Sequence, residues 1–271
     1  MTSVHSSIPP QIHPAIHHFS CTMCGKCCHN LRLPLDTEEA LQWLRSGGKV
    51  QVLCEAIPWP AEPDAANGLA AYKHERSVAA MSGELPVRVV ITFVAAFEGA
   101  CPHLRADMKC GAYETRPRVC RIYPAEVNPF VPLMPQGKAC PPEAWSTSMP
   151  RMMVDGALTD AQTVTLVRRS RQAGIEDMGR KALICQHLGI FVGALANEGF
   201  AVHSPPATVL EDALAVVNGM AIDATQMQQE WIFLTNRSPT LAALQAAGAL
   251  AIRPGDGLPD TIEYLAFHGD E

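Results

Sequence analysis

Four cysteines within eight residues, Cys21, Cys24, Cys27 and Cys28 in the run CTMCGKCC, constrain this chain more than any other feature. Two-residue spacing lets a tight turn present two thiolates to one ion. Gly25 lies inside the Cys24–Cys27 turn, where a residue without Cβ takes the backbone conformation such a turn demands. The adjacent pair adds a restriction. Successive side chains of an extended segment point to opposite faces, so Cys27 and Cys28 are not expected to clasp one ion as a simple pair. Either they serve two sites, or one of them is not a ligand. A second group follows with the spacing C-x8-C-x9-C-x19-C: Cys101, Cys110, Cys120 and Cys140.

Ten cysteines in a short secreted chain would suggest a disulfide framework, but this chain has 271 residues. Met1 to Ser20 shows neither a basic region nor an apolar stretch of the kind a secretory signal needs. The expectation is a cytoplasmic protein whose clustered cysteines bind metal, with Cys54 and Cys185 as isolated core thiols. Bacterial ferredoxins use a run C-x2-C-x2-C-x3-C-P, in which three thiolates hold one cluster and the fourth goes elsewhere. By that logic Cys21, Cys24 and Cys27 take three corners of a [4Fe–4S] cluster, with the fourth thiolate from the second group. Zinc is the alternative, because two four-thiolate sites would use all eight cysteines.

The second group is locally basic. Between residues 101 and 124, Arg105, Lys109, Arg116, Arg118 and Arg121 stand against Asp107 and Glu114, a net of +3. Thiolates gathered at a metal leave negative charge, which nearby cations stabilise. Arg116, Arg118 and Arg121 are therefore expected to compensate the centre's charge. His29 and His103, beside the ligand candidates, are expected to hydrogen-bond around it rather than bind the metal.

The ordered combination CTMCGKCC, CPHL, KCGAYETRPRVCRIYP and the lone Cys140 resembles the YkgJ-type cysteine-cluster family, described as zinc- or iron-chelating proteins. The resemblance covers roughly residues 19–142 and implies a metal or iron–sulfur domain. Flagellin lysine-N-methylases share a similar cysteine motif, so the resemblance also offers a protein lysine methyltransferase as a further alternative. No glycine-rich S-adenosylmethionine loop supports it here. Ser-His-Asp arrangements, Walker loops and dinucleotide fingerprints are absent from the sequence.

Composition divides the chain near Pro150. Residues 1–150 hold 17 of the 22 prolines and nine of the ten cysteines, with 13 basic and 13 acidic residues. Residues 151–271 hold 8 basic and 14 acidic residues and so supply the whole net charge of −6. That charge gives no general case for nucleic-acid binding, and no apolar run is long enough for a membrane span. The expected organisation is a loose arm over 1–20, a cysteine-cluster metal-binding domain over 21–150 and a helical domain over 151–271. The expected fold class is α+β: a small cysteine-rich domain with a short helix and a hairpin, then an all-helical C-terminal region. The short helix begins at the capping box Asp36-x-x-Glu39 and stops at Gly47-Gly48, and the hairpin joins Val87–Val94 to a strand near 70–80. Helices are expected over 160–172, 179–197, 208–217, 224–234 and 239–247. A redox or protein partner is left open.

Overall fold

The structure is a computed structural model that describes residues 16–220, 222, 230–259 and 261–269. Most of the expected arm lies outside the described residues, and Ile16–His18 forms strand β1. There follow β2 (His29–Leu35), α1 (Thr37–Arg45), β3 (Val50–Pro58), α2 (Gly68–Glu75), β4 (Val78–Ser82), β5 (Leu85–Ala100) and α3 (Arg118–Ile122). Beyond residue 150 come β6 (Arg151–Val154), β7 (Ala157–Leu158), α4 (Ala161–Glu176), α5 (Met178–Leu188), β8 (Val192–Leu195) and β9 (Gly199–His203). The last elements are α6 (Ala207–Asn218), β10 (Ile232–Leu234), α7 (Ser238–Ala246), β11 (Ala251–Ile252) and β12 (Ile262–Ala266).

The expected all-helical C-terminal region is overturned, because five strands after residue 190 join a nine-stranded mixed sheet. The expected helix over 179–197 ends at Leu188. Gly189 there adopts φ +67°, a left-handed conformation that terminates a helix, and the chain re-enters as β8. Of the expected helix over 224–234, residues 223–229 lie outside the described residues and Ile232–Leu234 is strand β10. Strands β8, β9 and β10 are short, largely buried runs, and such runs lack the alternation that separates a strand from a buried helix.

The first-half elements follow the local signals. In α1, Asp36 accepts from the Glu39 amide at 2.7 Å while the Glu39 carboxylate accepts from the Asp36 amide at 3.2 Å, closing the capping box. Strand β5 alternates so that Leu85, Val87, Val89, Ile91 and Phe93 enter the core. It pairs antiparallel with β4, so a hairpin forms, but the hairpin's first strand is Val78–Ser82 and most of the 70–80 stretch expected to supply it is helix α2; β5 also pairs with β2 and β3. On its other edge β3 pairs parallel with β8 and antiparallel with β9, after which β10 and β11 extend the sheet in parallel. Strands from either side of Pro150 therefore share one sheet. The largest core cluster likewise joins Trp43, Val89 and Phe93 to Ile184, Leu210, Trp231 and Phe233. Among the described residues no helix is long and apolar enough to cross a membrane.

For the cysteines, the decisive register is that of β2 on β5. The ladder begins at His29 opposite Ala100, and one residue further out Cys101 donates its amide to the Cys28 carbonyl at 2.8 Å. The sheet end thus fixes one member of each cysteine group beside the other.

Candidate metal centre

Three loops and one short helix converge at that end of the sheet. In the first loop Gly25 has φ +68°, and a Cβ there would lie 2.6 Å from the Met108 carbonyl oxygen, so only glycine lets the 24–27 turn close against residues 104–108. The Cys28 amide donates to the Gly25 carbonyl at 2.9 Å, and the Met23 amide donates to the Cys21 sulfur at 3.4 Å. The second loop folds on itself. Leu104 bridges to Cys110, and the Gly111 amide donates to the His103 carbonyl at 2.6 Å, bringing Cys101 and Cys110 to neighbouring positions. The amides of His103 and Leu104 both donate to the Cys101 sulfur, an arrangement that favours a thiolate.

Cys120 sits on α3, whose entry is held by α1. The Arg118 amide donates to Glu39 at 2.7 Å, and the Arg118 guanidinium pairs with Asp36 and, at 3.7 Å, with Glu39. Cys140 lies on the third loop, which is bound to the chain just before Cys21. There His18 Nδ1 bonds the Met149 carbonyl at 2.6 Å, the Ser20 amide donates to Ala144 at 3.0 Å, and the Phe19 and Trp145 rings are 4.9 Å apart.

All eight clustered cysteines line one cavity of about 610 Å³, together with His29, His103, Arg116 and Arg121. Arg118 lines a neighbouring cavity of about 480 Å³ instead, and Trp43, His103, Arg116 and Arg121 form part of the wall between the two. His103 packs edge-on against Trp43, with 5.1 Å between ring centroids. The Arg116 guanidinium lies over the Tyr113 ring at 3.7 Å. Cys54 and Cys185 are fully buried in the core, hydrogen-bonded to one another and outside the cavity.

Burial pushes five of the cavity thiols upward: Cys27 and Cys101, Cys28 and Cys120 to about 12, and Cys140 to about 11. Mutual repulsion among the thiolates adds to the rise in all five, and the Arg116 charge offsets part of it at Cys120. At neutral pH these five sulfurs hold their protons until a cation takes the protons' place. The donor set of soft thiolates around one cavity fits zinc or an iron–sulfur centre. Among the described residues, no three Cys, His, Asp or Glu side chains stand close enough together to hold a single ion as they are.

Tyr123 is a participant that the cysteine spacing did not reveal. Its hydroxyl accepts from the Ala139 amide at 2.8 Å and donates to the Cys140 sulfur, lowering that thiol against the effect of burial. The only signal was its place three residues after Cys120; its partner lies seventeen residues further on.

A family model described as "CxxCxxCC: Putative zinc- or iron-chelating domain" matches residues 20–141. No curated protein and no solved structure gives a significant match to the chain.

Proposed function

We propose, from the premise that residues 20–141 are a CxxCxxCC domain, that the eight clustered cysteines hold an iron–sulfur centre that serves electron transfer. The observation that carries this reading is the shared cavity: it takes in all eight clustered cysteines and neither of the isolated ones. The iron–sulfur form is supported by the run of three thiolates at two-residue spacing, with Cys140 brought to them from 113 residues beyond Cys27. When bound, such a cluster supplies one-electron chemistry at a potential set by its surroundings. The chain's own contribution is legible in hydrogen bonds and charge. Amides of Met23, His103 and Leu104 donate to sulfur, the Tyr123 hydroxyl donates to Cys140, and Arg116 places a cation near Cys120. Cys21 is exposed at the rim, beside exposed Met23, and gives a redox partner an approach to the sulfur ligands.

Anaerobic purification followed by iron and acid-labile sulfide analysis tests the reading. The expected protein is brown, with absorbance near about 400 nm from sulfide-to-iron charge transfer. A colourless protein carrying zinc and no labile sulfide would overturn the iron–sulfur form and leave a closed structural zinc module in its place. A wild-type chain that takes up neither metal would overturn chelation altogether.

A further inference from the structure

We propose that the eight thiolates form two separate four-ligand sites, Cys21–Cys24–Cys27–Cys140 and Cys28–Cys101–Cys110–Cys120, which meet at the Cys27–Cys28 peptide. This rests on the metal-chelating reading above and deepens it. It assigns each member of the adjacent pair to a different centre, and it mixes the two cysteine groups of the sequence in both.

The second site is built on the end of the sheet. Cys28 and Cys101 are joined by a backbone hydrogen bond directly beyond the last β2–β5 pair, so their relative position is set by a ladder running from His29 to Leu35. Cys110 is brought to Cys101 by the Leu104–Cys110 bridge and the Gly111–His103 bond. Cys120 comes from α3, which α1 holds through Arg118. The first site has a different support. The 140–150 loop is bound to residues 18–20 by three hydrogen bonds, His18 to Met149, Phe19 to Pro150 and Ser20 to Ala144, and by the Phe19–Trp145 contact, which carries Cys140 to the neighbourhood of Cys21. Cys140 is close to Cys27, Cys21 and Cys24; Cys28 and Cys120 are close to Cys101 and Cys110, and both also to Cys27, at the boundary of the two sites.

The two sites share a wall. The Cys27 and Cys28 side chains hydrogen-bond to each other, and Cys27 also lies near Cys120. Both zinc and a [4Fe–4S] cluster take four thiolates, so a single centre would leave four thiols of this cavity without a cation. Two centres use every ligand, whichever metal they contain.

Native mass spectrometry and elemental analysis of the full chain, loaded anaerobically with iron and sulfide or with zinc alone, test the division. Wild type is expected to carry two centres. Cys140→Ser and Cys110→Ser, each cutting one site, are each expected to retain half the wild-type metal, and the double variant none. Circular dichroism identifies a variant that has not folded; Cys24→Ser and Cys101→Ser are the replacements, one for each site. The wild-type count needs no variant. One centre per wild-type chain, or complete loss of metal in either folded single variant, would overturn the division while leaving chelation intact. A metal-free wild type would overturn both readings.

Discussion

Tyr123 and Cys185 show how differently two residues near sulfur behave. The Tyr123 hydroxyl donates to Cys140, so it favours the thiolate that a metal requires. Tyr123→Phe removes one hydrogen bond and little volume. It is expected to weaken metal retention by roughly ten-fold in competition with a chromophoric chelator, the lower end of what losing a partner of a metal ligand costs. Unchanged retention would mean that the hydroxyl serves only the Ala139 amide. Cys185, by contrast, shares a dry contact with Cys54 between α5 and β3. Cys185→Ser places a hydroxyl in that contact and is expected to cost about 1–3 kcal/mol in urea unfolding, with metal content unchanged. Metal loss in that variant would disprove its exclusion from the site. The cysteines themselves were legible in the sequence because ligand spacing is a local property. Tyr123 was not, because its partner is brought by a loop whose path depends on contacts at Ser20 and Ala144.

Single elements reveal which local signals carry weight. Helix α1 and strand β5 were readable from a capping box and from alternation, each of which states a local geometry directly. Strand β8 falls inside the expected helix over 179–197, because an isolated glycine in an apolar stretch does not by itself mark a helix end, whereas the positive φ of Gly189 ends α5. Strands β10 and β11, of three and two residues, are too short to show any period, and only their parallel partners define them. Strand β3 carries a polar group with a measurable consequence. Glu55 lies between β5 and β8, and burial pushes its carboxyl up to about 7, with Lys73 partly opposing the shift. A carboxyl that is more basic in the folded state keeps its proton after the unfolded chain has released it. Its stabilising contribution is full below about pH 4.5 and lost as pH rises through about 7. Glu55→Gln should flatten that slope and raise stability at pH 8 by at most about 3 kcal/mol, with little change at pH 4. Urea titrations at the two pH values check this; parallel slopes in the two proteins would refute it.

At the scale of the whole molecule, the composition break near Pro150 and the hydrogen-bond pattern describe different things. Proline and cysteine counts report which segments are loops and ligands, but they do not encode which strands pair. No sequence period relates Val52–Cys54 to Ala201–His203, yet those residues lie side by side. The site depends on that pairing at one remove. β3 is the neighbour of β5, and the end of β5 carries Cys101 to Cys28. A chain ending at Pro150 would lose β8 and β9 from the edge of β3, and Ile184, Leu210, Leu214, Trp231 and Phe233 from the core. Burial of five such side chains is worth on the order of 10 kcal/mol, comparable to the entire net stability of a domain. It would also leave the edge of β3 open to pairing with another chain. The truncated protein is therefore expected to show no cooperative thermal transition by circular dichroism and to aggregate, even when supplied with metal. Ligation by these cysteines would constrain only the loops and α3 beyond the end of the sheet and cannot replace the core side chains that α5, α6 and β10 supply. A cooperative melt together with full wild-type metal content in residues 1–150 would show instead that the cysteine-bearing half sustains its own core.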